Sequence, residues 1–221
     1  VPKDLWDNDF IYVSPGARKD LAARYVGTRF RIPDPAGRKD HAIVMIASEL
    51  ADGAVRHLTP HRGNVRYDQP RYSADGKWVY CLSDLGCEFA GVAAIDLAEL
   101  SVRFIAQPEA EIELLAASHD GRSLAWAANL QGATALTLYD VASSQTRQPP
   151  DLPVGVIGFM DELMAFSPDD RLLTFSFSSS SRTHDVWVWN LEVNTLRPIT
   201  QSSHAGIPAS VFVEPELVRY P

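Results

Sequence analysis

The stretch that decides the fold is Tyr72-Ser73-Ala74-Asp75-Gly76-Lys77, because it returns twice further along the chain. The other copies are Ala117-Ser118-His119-Asp120-Gly121-Arg122 and Phe166-Ser167-Pro168-Asp169-Asp170-Arg171. Asp-Gly forms a tight turn, since glycine accepts a positive φ without steric cost and aspartate bonds nearby amides. We therefore predict three equivalent turns, whose structural residues are Ser73, Asp75, Gly76, Ser118, Asp120, Gly121, Ser167, Asp169 and Asp170.

Two strand-like runs follow each turn, separated by a short polar loop. The second run ends at Asp96, Asp140 or Asn190, which lies 20 or 21 residues after the aspartate of its turn. One short strand before the serine and another after the closing Asp or Asn complete a unit of four strands. The repeated serines lie 45 and 49 residues apart, and four-stranded units at this period are typical of a β-propeller.

The sequence thus predicts an all-β fold, a partial β-propeller of about four four-stranded blades over residues 1–206. The blades are expected at roughly 1–67, 68–112, 113–160 and 161–206. Residues 207–221 are expected to form an exit strand or a linker. The first blade is degenerate, with strands expected at 9–13, 21–25, 42–46 and 55–59. A sandwich of two seven-stranded modules is the rival arrangement, but it does not explain why one turn returns at a fixed period.

Composition excludes several classes of protein. The 221 residues include 20 Lys+Arg and 28 Asp+Glu, a net charge of −8, and 46% are hydrophobic. The apolar fraction is too high for a disordered chain, and no run approaches the roughly 18–20 apolar residues of a membrane span. The acidic balance argues against nucleic-acid binding. Residues 1–6 lack the features of a signal peptide, so we expect a cytoplasmic protein.

Further features identify a family that the chain resembles. They are Arg56-His57-Leu58-Thr59, Tyr72 to Tyr80, Ala128-Asn129-Leu130-Gln131-Gly132, Leu163 to Asp170, Asp185-Val186-Trp187-Val188-Trp189, Arg197-Pro198-Ile199-Thr200 and Phe212-Val213-Glu214-Pro215-Glu216-Leu217-Val218-Arg219-Tyr220. In this order they resemble the N-terminal propeller of prolyl oligopeptidase-family serine peptidases, including the acylaminoacyl- and dipeptidyl-peptidase relatives. The resemblance implies a non-catalytic propeller that gates the access of substrates. The whole enzyme would also contain a C-terminal α/β-hydrolase domain and would act on short peptides.

The chain departs from this family in what it lacks. No two of its 13 glycines lie four apart, so the Gly-x-Ser-x-Gly nucleophile elbow is absent. We therefore expect no catalytic residue, cofactor or metal site in this chain, and we expect it to be inactive alone. The chain would then be a fragment of a larger protein that is a serine peptidase. The alternative is a stand-alone TolB-like propeller, a scaffold for protein–protein interaction.

Several side-chain groups resemble parts of functional sites, but their sequence context favours structural roles. Pro60 prevents His57 and His61 from sharing a helical face, so they are expected in a loop. His184-Asp185 is expected at a strand entry, and His204 has no evident partner. Glu109, Glu111 and Glu113 are expected at an exposed blade edge, and residues 178–181 at a hairpin tip. Packing between blades is expected for four tryptophans, Trp78, Trp126, Trp187 and Trp189. Cys81 and Cys87 are expected to be half-buried thiols, and a hairpin disulfide between them is the alternative.

An incomplete ring has an energetic consequence. A terminal blade that exposed about 500 Å² of apolar surface would forgo about 12 kcal/mol of burial. We therefore expect the chain to self-associate through its open blade edges, or to be completed by more chain.

Overall fold

The structure of the chain is a computed structural model, and it describes residues 23–29, 43–49, 55–63, 65–158 and 164–218. The chain forms two compact units, Val1–Glu109 and Ala110–Pro221. Within the described ranges all regular structure is β-strand apart from one short 3-10 helix. None of these residues belongs to a helix long and apolar enough to cross a membrane.

The first unit contains two antiparallel sheets. The first sheet is built in the order β1 (Ala23–Arg29), β2 (Ile43–Glu49) and β3 (Val55–His57). The second sheet has the order β4 (Tyr67–Tyr72), β5 (Trp78–Ser83), β6 (Gly91–Asp96) and β7 (Val102–Ala106). Within each of these sheets, each strand therefore pairs with the next one along the chain. The strand predicted at 9–13 lies outside the described residues.

The second unit contains two more sheets of the same kind. The third sheet is β8 (Ile112–Ala117), β9 (Ser123–Leu130), β10 (Ala133–Asp140) and β11 (Thr146–Arg147). In the fourth sheet, β14 (Leu172–Ser179), β15 (Arg182–Asn190) and β16 (Thr195–Pro198) follow a first strand that is split. Its two pieces, β12 (Val156–Ile157) and β13 (Ala165–Phe166), both pair with β14.

The predicted blade limits can be compared with these strands. The second sheet begins at Tyr67 and the third at Ile112, each one residue before the predicted start. The fourth sheet begins with Val156–Ile157, before the predicted limit of 161, because the split first strand starts earlier than its serine turn indicates.

The core of the second unit lies between its two sheets. The third sheet contributes small and aliphatic side chains, such as Ala125, Ala127 and Leu136, and the fourth contributes large aromatic ones. Trp189 is completely buried there, and the Phe177 and Trp187 rings meet edge to face at 5.1 Å. Pairing small residues on one sheet with large rings on the other fills the space at native density. The prediction that tryptophans pack between blades is confirmed for Trp187 and Trp189.

The opposite face of the fourth sheet is more polar than expected. Side chains alternate along a strand, so Thr174 and Ser176 face away from the buried Phe175 and Phe177. On the neighbouring strand this face carries Val186, which is 38% exposed. Threonine and serine side chains reduce the apolar surface area that this face of the sheet presents. Self-association therefore stays a prediction, with a weaker driving force than area alone implies.

The segment after the fourth sheet was expected to be an exit strand or a linker. Ala209–Val211 form a 3-10 helix, and residues 212–218 have no regular secondary structure. Residues 207–218 thus contain no strand. A strand would need a neighbour to bind its backbone N–H and C=O groups, and no strand among the described residues of the second unit pairs with this segment.

Candidate functional site

The three repeated turns have the same hydrogen-bond geometry. In each, the serine Oγ donates to the aspartate two residues later and accepts the N–H of the residue five positions later. The Oγ–Oδ1 distances are 2.6 Å for Ser73, 2.8 Å for Ser118 and 2.6 Å for Ser167. One hydroxyl thus closes the turn from both sides, and the same two bonds are present in all three copies.

The same aspartates also bind the backbone. Their Oδ1 atoms accept the N–H two residues later, from Lys77, Arg122 and Arg171. The residue between has a positive φ of 68° at Gly76, 72° at Gly121 and 58° at Asp170. The conformation that the turn requires is therefore kept in the third copy, although glycine is replaced there.

These bonds hold the carboxylates in their charged form. The Ser73 hydroxyl and the Lys77 amide keep the pKa of Asp75 below its ordinary value. The Ser167 hydroxyl and the Arg171 amide do the same for the pKa of Asp169. A hydrogen bond donated to a carboxylate stabilises the ionised form, because the protonated form accepts it less well.

Ser167→Ala is expected to raise the pKa of Asp169 toward its ordinary value, because the hydroxyl that favours the ionised form is removed. A depressed pKa contributes stability above the unfolded-state pKa, and this contribution is lost as the pH falls through the folded-state value. The variant should therefore lose less stability in acid than the parent. A carboxyl-detected NMR titration checks this; Asp75 is the internal control and should not move. An unchanged Asp169 would contradict the assigned bond.

A second corner closes the second, third and fourth sheets at the residue that the spacing identified. The side-chain oxygens of Asp96, Asp140 and Asn190 each accept two backbone N–H groups of the following turn. The Ser143 hydroxyl and amide also hold the pKa of Asp140 below its ordinary value. Next to this corner the chain bonds back to the first turn, as the Val141 amide does to the Arg122 carbonyl. The spacing of 20 or 21 residues therefore reflects a bonded register between two corners.

The described candidate histidines His61 and His204 have separate neighbours. His61 has its Nδ1 2.7 Å from the Thr59 carbonyl oxygen, and its ring contacts Tyr67 at 5.5 Å. The His57 side chain lies outside the described residues. His204 packs edge-on against Phe212 at 4.8 Å. Over the ranges that the structure describes, no three His, Cys, Asp or Glu side chains are placed to hold a metal ion.

His184-Asp185 lies within β15 and not at its start. The carboxylate of Asp185 accepts the Thr200 hydroxyl at 2.9 Å and the Ser202 amide at 2.8 Å. Burial works against its charge, but the Thr200 hydroxyl, the amide and hydroxyl of Ser202 and the Arg182 charge together keep the pKa of Asp185 below its ordinary value. The residue thus fastens the chain that leaves the fourth sheet, a role that the sequence analysis missed.

The acidic and serine-rich candidates have ordinary partners. The exposed Glu113 accepts the side-chain amide of Asn129 at 2.9 Å, consistent with the expected blade edge. At the tip of the β14–β15 hairpin, Ser180 and Ser181 donate to Glu214 at 3.5 and 3.0 Å. Glu214 belongs to the exit segment, and a contact over more than thirty residues leaves no signal in the local sequence.

The tryptophans of the repeats differ in their surroundings. Trp126 is 6% exposed and tilts against Tyr139 at 5.8 Å. Trp78 is only half-buried, and the Arg103 guanidinium lies 4.8 Å above its ring. Trp126 is buried, but Tyr139 belongs to its own sheet, so packing between blades stays a prediction for Trp126. Trp78 keeps part of its surface at the solvent.

Both cysteines are free thiols, so the alternative of a hairpin disulfide is wrong. Cys81 is completely buried, and burial raises the pKa of its thiol. Cys87 is half-buried, and its sulfur lies 2.7 Å from the Gln107 side-chain nitrogen. It borders an open depression of about 470 Å³ in the first unit, lined by Cys87, Glu88, Phe89, Gln107, Pro108 and Glu109.

A thiol reagent is expected to modify Cys87 in the folded protein and to leave Cys81 unmodified. The thiolate is the reactive form, and both access and ionisation are denied to a buried thiol. Titration with 5,5′-dithiobis(2-nitrobenzoate), followed by peptide mapping, should give one modified thiol in buffer and two in denaturant. Rapid modification of both in buffer would show that β5 is not buried in solution.

No family model and no curated protein sequence matches the chain. Solved structures do match it. A puromycin hydrolase variant complexed with PGG superposes with a TM-score of 0.67 at 14% identity, over 80% of this chain and 27% of that one. Prolyl oligopeptidase B from Galerina marginata gives 0.65 at 13%, over 86% and 26%. A putative TolB from Agrobacterium tumefaciens gives 0.62 at 13%, over 87% and 65%.

These similarities establish the fold. The all-β sheets of the chain resemble both the propellers of prolyl oligopeptidase-family peptidases and those of TolB proteins, so the predicted partial β-propeller is confirmed. The chain spans 41% of the TolB from Acinetobacter baumannii and about a quarter of the peptidases. At 13–16% identity the likeness is one of architecture.

Proposed function

We propose that the chain is the substrate-gating propeller part of a prolyl oligopeptidase-like serine peptidase that acts on short peptides. Its partner would be a C-terminal α/β-hydrolase domain, which supplies the nucleophile elbow that this sequence lacks. The observation that carries the proposal is the superposition on puromycin hydrolase at a TM-score of 0.67, together with the ordered motifs from Arg56 to Tyr220.

The repeated turns suit this role. The second, third and fourth sheets are closed at both corners by serine, aspartate and asparagine side chains that bind the backbone. A gate has to be a stiff wall that excludes large molecules and lets short peptides pass. Peptide bond cleavage would then depend on the partner domain.

The test begins with the source gene. An open reading frame that continues past the codon for Pro221 into a Gly-x-Ser-x-Gly elbow supports the proposal. The full encoded protein should then react with a fluorophosphonate probe and cleave a short fluorogenic peptide. It should spare the same cleavage sequence displayed in a loop of a folded protein. A full protein without an elbow, or without probe labelling, would refute the peptidase role.

The second candidate is a TolB-like propeller that binds a protein partner and has no chemistry. The putative TolB from Agrobacterium tumefaciens favours it, because the match covers 65% of that protein and only 26–27% of the two peptidases. A stop codon soon after Pro221 would support this candidate. Labelling of the full protein by the serine probe would exclude it.

A further inference from the structure

The third repeated turn differs from the other two at a position where the backbone requires a positive φ. Gly76 and Gly121 occupy it in the first two copies, whereas Asp170 occupies it in the third with φ 58°. Aspartate is one of the few non-glycine residues that enter the left-handed region. A side chain at this position therefore needs a reason that the turn itself does not supply.

The contacts of Asp170 supply that reason. Its Oδ1 accepts the His119 amide at 2.8 Å and lies 2.8 Å from the His119 Nδ1. Its Oδ2 accepts the Asp120 amide, also at 2.8 Å. The Asp170 side chain is 14% exposed, although the turn lies at the surface. Both carboxylate oxygens thus reach from the turn of the fourth sheet to the turn of the third.

The charged side chains next to the Asp170 carboxylate have other partners. Arg171, on the same turn, lies 3.3 Å from Glu192 and 3.9 Å from Asp169. The Asp120 carboxylate is directed to Ser118 and to Arg122. The backbone amides of the preceding turn and the imidazole of His119 are therefore what Asp170 binds.

The seam between these two sheets is fastened elsewhere as well. Near the opposite end of the strands, the Thr134 amide donates to the Gly155 carbonyl at 2.7 Å, and the Thr134 hydroxyl accepts the Ile157 amide at 3.0 Å. On the outer strand, Arg147 donates to the Leu191 carbonyl at 2.9 Å. With the apolar core between them, the third and fourth sheets are held at both ends and at the outer edge.

We propose that Asp170 is a clasp that closes the turn end of this seam, so that the third and fourth sheets move as one body. Aspartate adopts the positive φ of this turn less easily than glycine does. In return, its carboxylate accepts hydrogen bonds from two amides, and a bond to a charged acceptor is stronger than one to a neutral acceptor. A further consequence rests on the proposed function: peptides would not reach the centre of the gate through this seam while the clasp is closed.

Residue-resolved amide hydrogen exchange of the full protein tests the clasp independently of any peptidase activity. In Asp170→Gly, which restores the residue of the other two turns, exchange at His119 and Asp120 is expected to rise on the order of 10- to 100-fold. The variant leaves residues 118–120 unchanged, so their intrinsic exchange rates are constant. The amides of Gly121 and Ser123, which bond within their own turn, should keep their rates.

Two further variants keep the test decisive. Arg171→Ala is the matched control on the same turn and should leave His119 and Asp120 protected. If Asp170→Gly does not fold, Asp170→Asn preserves size and turn conformation but removes the charge, and at least one of the two amides should exchange faster. Unchanged exchange at both amides in a folded Asp170 variant would overturn the clasp.

The consequence for gating has a separate readout. In the active full protein, Asp170→Gly should raise the cleavage rate of long peptides relative to short ones. Faster exchange with an unchanged peptide-length profile would support the clasp and overturn its part in gating. A full protein that cleaves no peptide would refute the proposed function and leave the exchange result valid.

Discussion

Trp189→Ala is expected to lower the free energy of unfolding by about 3–5 kcal/mol, the range for truncation of a large buried aromatic residue. Trp189 is completely buried in the core between the third and fourth sheets. Its indole N–H donates to the Asn194 side chain at 3.0 Å, and the Arg147 guanidinium lies 5.3 Å from its ring. Truncation thus leaves a cavity and an arginine without its aromatic neighbour, whereas the exposed Asn194 can bind water in place of the indole.

Chemical denaturation followed by far-UV circular dichroism measures this loss without depending on tryptophan fluorescence. Trp78→Ala is the matched control, because Trp78 is half-buried and has Arg103 on one side of its ring. It should cost clearly less than Trp189→Ala. Equal losses in the two variants would mean that the core does not extend to Trp189 as the structure places it.

Gly155→Val is expected to destabilise the fold by about 3 kcal/mol, the upper part of the usual range for overpacking. A side chain at Gly155 would run into the Phe177 ring and the Ser178 carbonyl oxygen. Phe177 is 1% exposed and held by the core, and the carbonyl belongs to β14, so neither can give way cheaply. Space, and not a positive φ, requires glycine at this position.

The neighbouring residue gives the control for this prediction. Val154 is 68% exposed, so Val154→Ala should change the free energy of unfolding by no more than about 0.5 kcal/mol. Thermal denaturation of the two variants and the parent compares them under one condition. A Gly155→Val variant as stable as the parent would mean that β12 does not pack against β14 in solution.

Much of the fold was accessible from the sequence because the repeat is encoded locally. Ser73, Asp75 and Gly76 form their turn from contacts within five residues, and the copies at Ser118 and Ser167 repeat those contacts. Patterns at so short a range survive in the sequence as spacing. The four-stranded unit and its period were therefore predicted without knowledge of any long-range contact.

The splitting of the first strand in the fourth sheet was not accessible in this way. Val156–Ile157 and Ala165–Phe166 are short, and what makes them one edge is that both pair with β14. Likewise, the bonds from Glu214 to Ser180 and Ser181 join residues more than thirty positions apart. Sequence spacing carries no record of such contacts.

By itself, the sequence determined the class of fold, the turns and the corner residues, because a turn depends on the φ preferences and hydrogen bonds of a few consecutive residues. Asp170 shows what only the tertiary structure decided. In the sequence it stands at the position that glycine occupies in the other two turns. In the folded chain its carboxylate binds the His119 and Asp120 amides of the preceding sheet. Those amides come within reach only when two sheets pack face to face, and packing is a property of the whole unit.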